Sequence, residues 1–514
     1  MLPINSAARL VATAGSVVAA LAVILPAAAQ APKDTLRVAM YANASTLGNP
    51  FAASYSPGQY FYSAVFDTLV RVDDTGKAVP WVAESWKVVD DKTWQFKLRP
   101  DVMFSNGARL DARAVQGTFD WLLGDGKATT VARFIPDVVG ARAVDDLTIE
   151  IKTKVPSPVL ARQLATIFFV EPKAWSEMGV GDYARKPVTT GPWQVEKWTE
   201  AEAEFVAFPQ AWRKPKVNRL SFRVLGEEVT RQQALISDQV DIAVALSPEQ
   251  VKNVEAAGHK AVVYAAPFLM SWILFTNDFP KKYGDKGSPF ADKRVRMAAN
   301  LALDRQAISD GLLNGLAKPA NQLAMPATFG YNPKVRDFPY DPARSKALLS
   351  EAGYPNGFDM VAEVYVGGIA KDTEIYNYAA DALSKIGIRV ELRQLAFNDY
   401  LSKINNGTWQ GLATGRSIRH EPLMDLQRPL DTFSCRERTK AVCVEEHMPL
   451  ITAASSEMNE GKREALLQEI MQKSHDDALL LYLVNGPEIY GLNKRARNLA
   501  VWNQVILYEK VELN

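Results

Sequence analysis

The stretch from Ile375 to Leu412 constrains the fold of this chain more than any other. Ile375, Tyr378, Ala379, Ala382, Leu383 and Ile386 recur at helical spacing and build one apolar stripe. Gly387 ends that helix, and Ile388, Val390 and Leu392 then alternate with polar residues as a half-buried strand does. Asp399 to Asn405 reads as a further helix, and an apolar run through Leu412 completes a β-α-β pattern. Period-two alternation recurs at Leu36, Val38 and Met40, at Trp94, Phe96 and Leu98, at Leu147, Ile149 and Ile151, and at Leu220, Phe222 and Val224. Strands interleaved with helices specify α/β lobes with mixed sheets. No internal repeat or low-complexity linker interrupts the pattern, so composition does not place the domain boundaries.

The first 31 residues read as an export signal outside the fold. Arg9 gives a weak positive start, Leu10 to Pro26 is apolar, and Ala27-Ala28-Ala29 offers small residues for cleavage. No cysteine lies near that site, so a lipid-anchored form is not expected, and the expected compartment is a bacterial periplasm. The rest of the chain exceeds what one hydrophobic core organises, which predicts two or three domains. At 47% hydrophobic and 10% aromatic residues the full chain has the composition of a packed globular protein. Arg9 is the only charged residue among the first 31, leaving 58 basic against 58 acidic side chains. That balance gives no support for nucleic acid or an anionic membrane as partner.

Cys435 and Cys443 are the only cysteines, and the segment between them is polar. In an oxidising compartment a disulfide is favoured over two free thiols. A metal site is less favoured, because His447 is the only suitable ligand added nearby.

Asp341 to Phe358 is a helix with clear punctuation. Asp341 can cap it, Pro342 suits the first turn, Ala347, Leu348 and Ala352 give an apolar side, and Gly353 with Pro355 stops it. This segment closely resembles a signature of the peptide/nickel-type (family 5) extracellular solute-binding proteins of ABC transporters. Other segments resemble the same family in the same order. They are Gly76 to Trp86 with Trp94 to Arg99, Val102 to Gly107, Thr190-Gly191-Pro192-Trp193, Arg231 to Ala243, and Lys293 to Arg305. The resemblance implies a two-lobed α/β periplasmic binding protein with mixed sheets, a hinge and an extra inserted domain. Lobe I would comprise residues 32–72, 190–266 and 490–514, the inserted domain 73–189, and lobe II 267–489. The family's task is capture of a peptide or small-molecule ligand for an inner-membrane ABC permease, by a monomer, without cofactor or catalysis.

Several residues are candidates for the cleft. Tyr41 and Asn43 follow the first strand, and open α/β sheets bind ligands beyond strand carboxyl ends. Thr190 and Gly191 form a turn where glycine permits close approach, and Arg133 follows a polar loop in the inserted domain. Trp272 lies where relatives place a cleft aromatic, although an aromatic in such an apolar run also suits a core. In peptide-binding relatives an acidic residue for the ligand's ammonium follows the strand corresponding to Trp409–Thr414. Here that segment carries Arg416, Arg419, His420, Glu421 and Asp425. Glu421 or Asp425 suits a cation, whereas Arg416 and Arg419 suit a carboxylate or phosphate gripped by two hydrogen bonds. Peptides or peptide-like solutes are therefore the first expectation, and a metal chelate, opine or other carboxylated solute is the alternative. His420 is the one residue suggestive of a metal, and a lone histidine falls short of the several donors a metal needs. An exported hydrolase is a distant reading, since neither Gly-x-Ser-x-Gly nor His-Glu-x-x-His occurs. Gly179-x-Gly181-x-x-Ala184 mimics a dinucleotide loop but lacks the strand before it and meets Lys186-Pro187 after it.

Overall fold

The alternating runs at Leu36–Met40 and Leu220–Val224 become neighbouring parallel strands in a computed structural model of the protein. It describes residues 34–52, 57–277, 287–366, 369–437, 441–503 and 505–514. The expected export signal, 1–31, lies outside the described residues.

The large mixed sheet contains β1 (Thr35–Met40), β2 (Trp193–Trp198), β3 (Glu202–Ala207), β4 (Arg219–Val224) and β5 (Ile242–Ala243). It continues through β6 (Lys260–Leu274), β7 (Phe358–Tyr365), β8 (Ile388–Leu395), β9 (Ala413–Ile418) and β10 (Leu481–Leu492). Their order is β8-β7-β9-β6-β10-β5-β1-β4-β3-β2, with Lys318–Pro319 paired to β10 off that path. The β7–β8 pair is parallel, as the intervening helix Asp372–Lys385 requires, and Gly387 turns the chain between helix and strand at φ 102°.

β6 and β10 join the two halves of the sheet. Lys260–Tyr264 pairs with Glu488–Leu492 beside β5, and Phe268–Trp272 pairs with Leu481–Gly486 beside β9. The register shifts between Tyr264 and Phe268, so the strands change course between one half and the other.

Each half has its own apolar core. Leu36, Val38, Phe61, Leu220 and Phe222 belong to one, and Trp272, Val295, Leu349, Ile375 and Leu383 to another. Ala83–Asp90, Thr93–Leu98, Thr148–Thr153 and Val138–Asp145 form a separate antiparallel sheet in that spatial order. Its buried Trp94, Phe96, Ile149 and Ile151 run on into the first core. Helix α1 (Gly58–Val65) is buried at all eight positions, which matches its aromatic-rich sequence. The helix Pro342–Glu351 begins as its sequence dictates, with Asp341 accepting from the Arg344 amide at 2.8 Å.

Candidate ligand cleft

Three separate parts of the chain converge on one buried charged cluster: α1, the far half of β10, and the loop after β9. α1 supplies Tyr60, whose hydroxyl donates to Oε1 of Glu488 at 2.8 Å and lies 3.1 Å from the hydroxyl of Tyr490. All three side chains are buried. Burial, then the charge of Glu488, pushes the Tyr60 phenol well above its ordinary pKa, so it stays a neutral donor.

The loop after β9 brings Arg419, His420 and Glu421. The Arg419 guanidinium lies 4.8 Å from the ring centre of Phe268 on β6. Burial opposes its charge, but Glu488 and Glu421 outweigh that penalty and hold its pKa above the ordinary value. Glu421 is 7% exposed, and neither of its carboxylate oxygens has a hydrogen-bond partner among the described residues. Burial raises its pKa to about 7, with Arg419 pulling the other way. Nη1 of Arg419 and Oδ1 of Asn485 on β10 also lack partners. Buried polar groups in folded proteins are nearly always satisfied. The unspent groups here include both a carboxylate and a guanidinium.

The structure brings Tyr41, Arg419 and Glu421 together. Tyr41 acts electrostatically on both Tyr60 and Arg419. His420 adjoins them but turns its Nδ1 to the Thr328 hydroxyl at 2.8 Å, and burial lowers its pKa to about 3. Other candidates lie elsewhere. Asn43 is occupied within the protein, donating to the carbonyls of Thr199 and Glu200 and accepting from the Trp198 indole. The amides of Thr190 and Gly191 both donate to the Val65 carbonyl at the end of α1. A Cβ on Gly191 would stand 2.6 Å from the Ala64 carbonyl oxygen, so the close approach this glycine permits is to the protein's own backbone. Trp272 is fully buried in the second core beside Tyr376. Arg416 lies 5.9 Å from the ring centre of Phe433 and acts on Tyr376 and Tyr400, a set disjoint from the neighbours of Arg419. Asp425 is held by Arg463. Arg133 is exposed and lines a separate cavity of about 570 Å³ with Phe134, Gln163, Leu423, Arg428 and Ser455.

Cys435 and Cys443 form a disulfide, so their sulfurs are not thiolate ligands for a metal, and His447 pairs with Asp477 at 2.8 Å. Sequence reading missed Tyr60, Glu488, Tyr490 and Phe268. Glu488 carried a usable signal: it is an acid, with Asn485-Gly486-Pro487 before it, inside an otherwise apolar strand.

The model for "Bacterial extracellular solute-binding proteins, family 5 Middle" matches residues 77–429, and the chain belongs to that family. The glutathione-binding protein GsiB of Salmonella paratyphi A is 30% identical over 336 residues, which is 64% of this chain and 63% of the relative. The match thus spans under two thirds of that relative. Among solved structures, periplasmic binding protein DppA of Helicobacter pylori in complex with the peptide STSA superposes with a TM-score of 0.75 at 21% identity, covering 93% of this chain and 98% of that one. NikA of Brucella suis in complex with Fe(III)-EDTA superposes at 0.78 and 22% identity, over 93% and 100%. The fold is that of the two-lobed periplasmic binding proteins. It accommodates a peptide in one neighbour and a chelate in another, so the fold alone does not select the solute.

Proposed function

We propose that the protein is the periplasmic solute-binding component of an ABC importer. It captures peptides or peptide-like small solutes in the cleft between its lobes and delivers them to an inner-membrane permease. The observation that carries the reading is the juxtaposition of Arg419, Glu421 and Glu488, of mixed sign, with the buried Glu421 carboxylate and Nη1 of half-buried Arg419 left without hydrogen-bond partners among the described residues. A small peptide offers the complement, an ammonium for the carboxylates and a carboxylate for the guanidinium. The work required is recognition, not bond breaking, consistent with relatives named as binding proteins. The proposed lobe limits, 32–72 with 190–266 and 490–514 against 267–489, place Tyr60 on one side and Arg419, Glu421 and Glu488 on the other.

The test is calorimetric titration with glutathione, dipeptides, tripeptides and an iron–EDTA chelate, beside native mass spectrometry of protein purified from periplasm without refolding. Binding of glutathione or peptides, or a ladder of peptide masses, supports the proposal. Binding of the chelate alone, or a single carboxylated non-peptide mass, replaces the solute class. Turnover of any bound compound would overturn the reading as a binding protein.

A further inference from the structure

We infer that Phe268 and Gly486 are positioning residues for Arg419, and that through it they set the preference of the site for a solute carboxylate. The inference rests on the reading that Arg419 meets the solute.

Among the described residues Arg419 has one direct side-chain partner, the face of Phe268 at 4.8 Å. Neither Glu421 nor Glu488 forms an ion pair with it, although both act on its charge. Where the guanidinium sits therefore depends on where the ring sits. The ring is 3% exposed and belongs to the second core. It faces Gly486 across the β6–β10 ladder, just past the register shift after Tyr264. A Cβ on Gly486 would lie 2.2 Å from two ring atoms and 3.1 Å from a third. Real side chains do not approach so closely, so the ring occupies that place only because position 486 has no side chain. The requirement is for space, since Gly486 is not among the residues with positive φ.

Glu488 stands two residues further along the same strand and is held independently by Tyr60. One glycine therefore lets β10 present an acid on its own side chain while leaving room for the seat of the opposing arginine. A perturbation at 268 or 486 should displace Arg419 and leave the hold on Glu488 intact. That separates the cation-binding half of the site from its carboxylate-binding half.

The experiment uses the full mature protein, with glutathione and its C-terminal amide as probes. Phe268→Leu removes the aromatic face at similar volume, and Gly486→Ala moves the ring; each is expected to weaken glutathione binding by about 3- to 30-fold, the range of a partly desolvated cation–π contact. The loss should shrink for the amide, and Phe268→Leu should cost nothing further in an Arg419→Ala background. Circular dichroism and thermal melts establish that each variant is folded. Should Phe268→Leu fail to fold, Gly486→Ala carries the test. If Arg419→Ala weakens binding while both other variants match wild type, the inference falls and the reading of Arg419 stands. It falls equally if acid and amide lose affinity alike or the double variant shows additive losses. If glutathione does not bind, the peptide that binds most tightly and its C-terminal amide take its place; if no peptide binds, or Arg419→Ala changes nothing, the reading beneath it falls.

Discussion

Arg463 holds Asp425 through two hydrogen bonds of 2.7 Å, one to each carboxylate oxygen, with both side chains buried. The pair fixes the chain four residues beyond Glu421. Phe329 reinforces it, since its amide donates to Met424 and its ring takes Arg463 at 5.4 Å and Arg162 at 4.3 Å. Asp425 is therefore spent on holding the loop that carries Arg419 and Glu421. Asp425→Ala leaves a buried, unpaired guanidinium, which costs roughly 3–5 kcal/mol. Urea unfolding followed by circular dichroism measures this, and a loss near zero would show that the pair is not buried as described.

The two arginines of the loop have separate surroundings and should behave differently. Half-buried Arg419 lies with buried Glu421 and Glu488, whereas Arg416 neighbours Phe433, Tyr376 and Tyr400. Arg419→Ala is expected to weaken solute binding by about 1.5–3 kcal/mol, as loss of a charge-assisted hydrogen bond does. Arg416→Ala should leave affinity within experimental error. Calorimetric titration of both variants decides, and the reverse order would move the site to the other face of β9.

Local pattern explains what could be read before the fold was known. Strands such as Thr35–Met40 and the capped helix from Pro342 follow from side-chain periodicity and from one or two residues at each end. The loop carrying Arg419 and Glu421 was legible through resemblance, because its charges are contiguous in sequence. Tyr60 and Glu488 were not, since they stand 428 positions apart and meet only when β10 passes α1. Tyr60 sits in an aromatic run that reads as core, and it is core as well as donor. Gly191 shows the converse problem: a glycine demands a close approach, but the sequence does not say to what.

The disulfide should support stability without tuning recognition. Cys435 and Cys443 close a short loop, and the Thr276 hydroxyl accepts from the Cys443 amide at 2.9 Å. Loop-closure entropy for so short a ring corresponds to about 2–3 kcal/mol. The Cys435→Ser/Cys443→Ser double variant is therefore expected to unfold at lower urea concentration, with solute affinity unchanged. A large affinity loss in a folded variant would tie this loop to the cleft.

His420 and Glu421 are adjacent, both buried, and should give the unliganded protein opposing pH slopes. His420 titrates near 3 in the fold against an ordinary 6.5, so below 6.5 the unfolded chain takes up a proton that the fold refuses. Its contribution is present above pH 6.5 and is lost as pH falls toward 3. Glu421 titrates near 7 against an ordinary 4.5, so between those values the fold keeps a proton that the unfolded chain releases. Its contribution is present below pH 4.5 and is lost as pH rises through 7. Wild-type stability should therefore change little between about pH 4.5 and 6.5, where the two slopes offset. Glu421→Gln removes the falling slope and should leave stability rising across that window. His420→Gln removes the rising slope and should leave it falling. Urea midpoints from pH 3.5 to 8 would separate the two. Solute binding adds a further sign: an ammonium seated on Glu421 favours the ionised form, so affinity should rise from pH 6 to 8 with release of a proton. Glu421→Gln should flatten that rise, and an unchanged pH profile in the variant would remove Glu421 from the ammonium subsite.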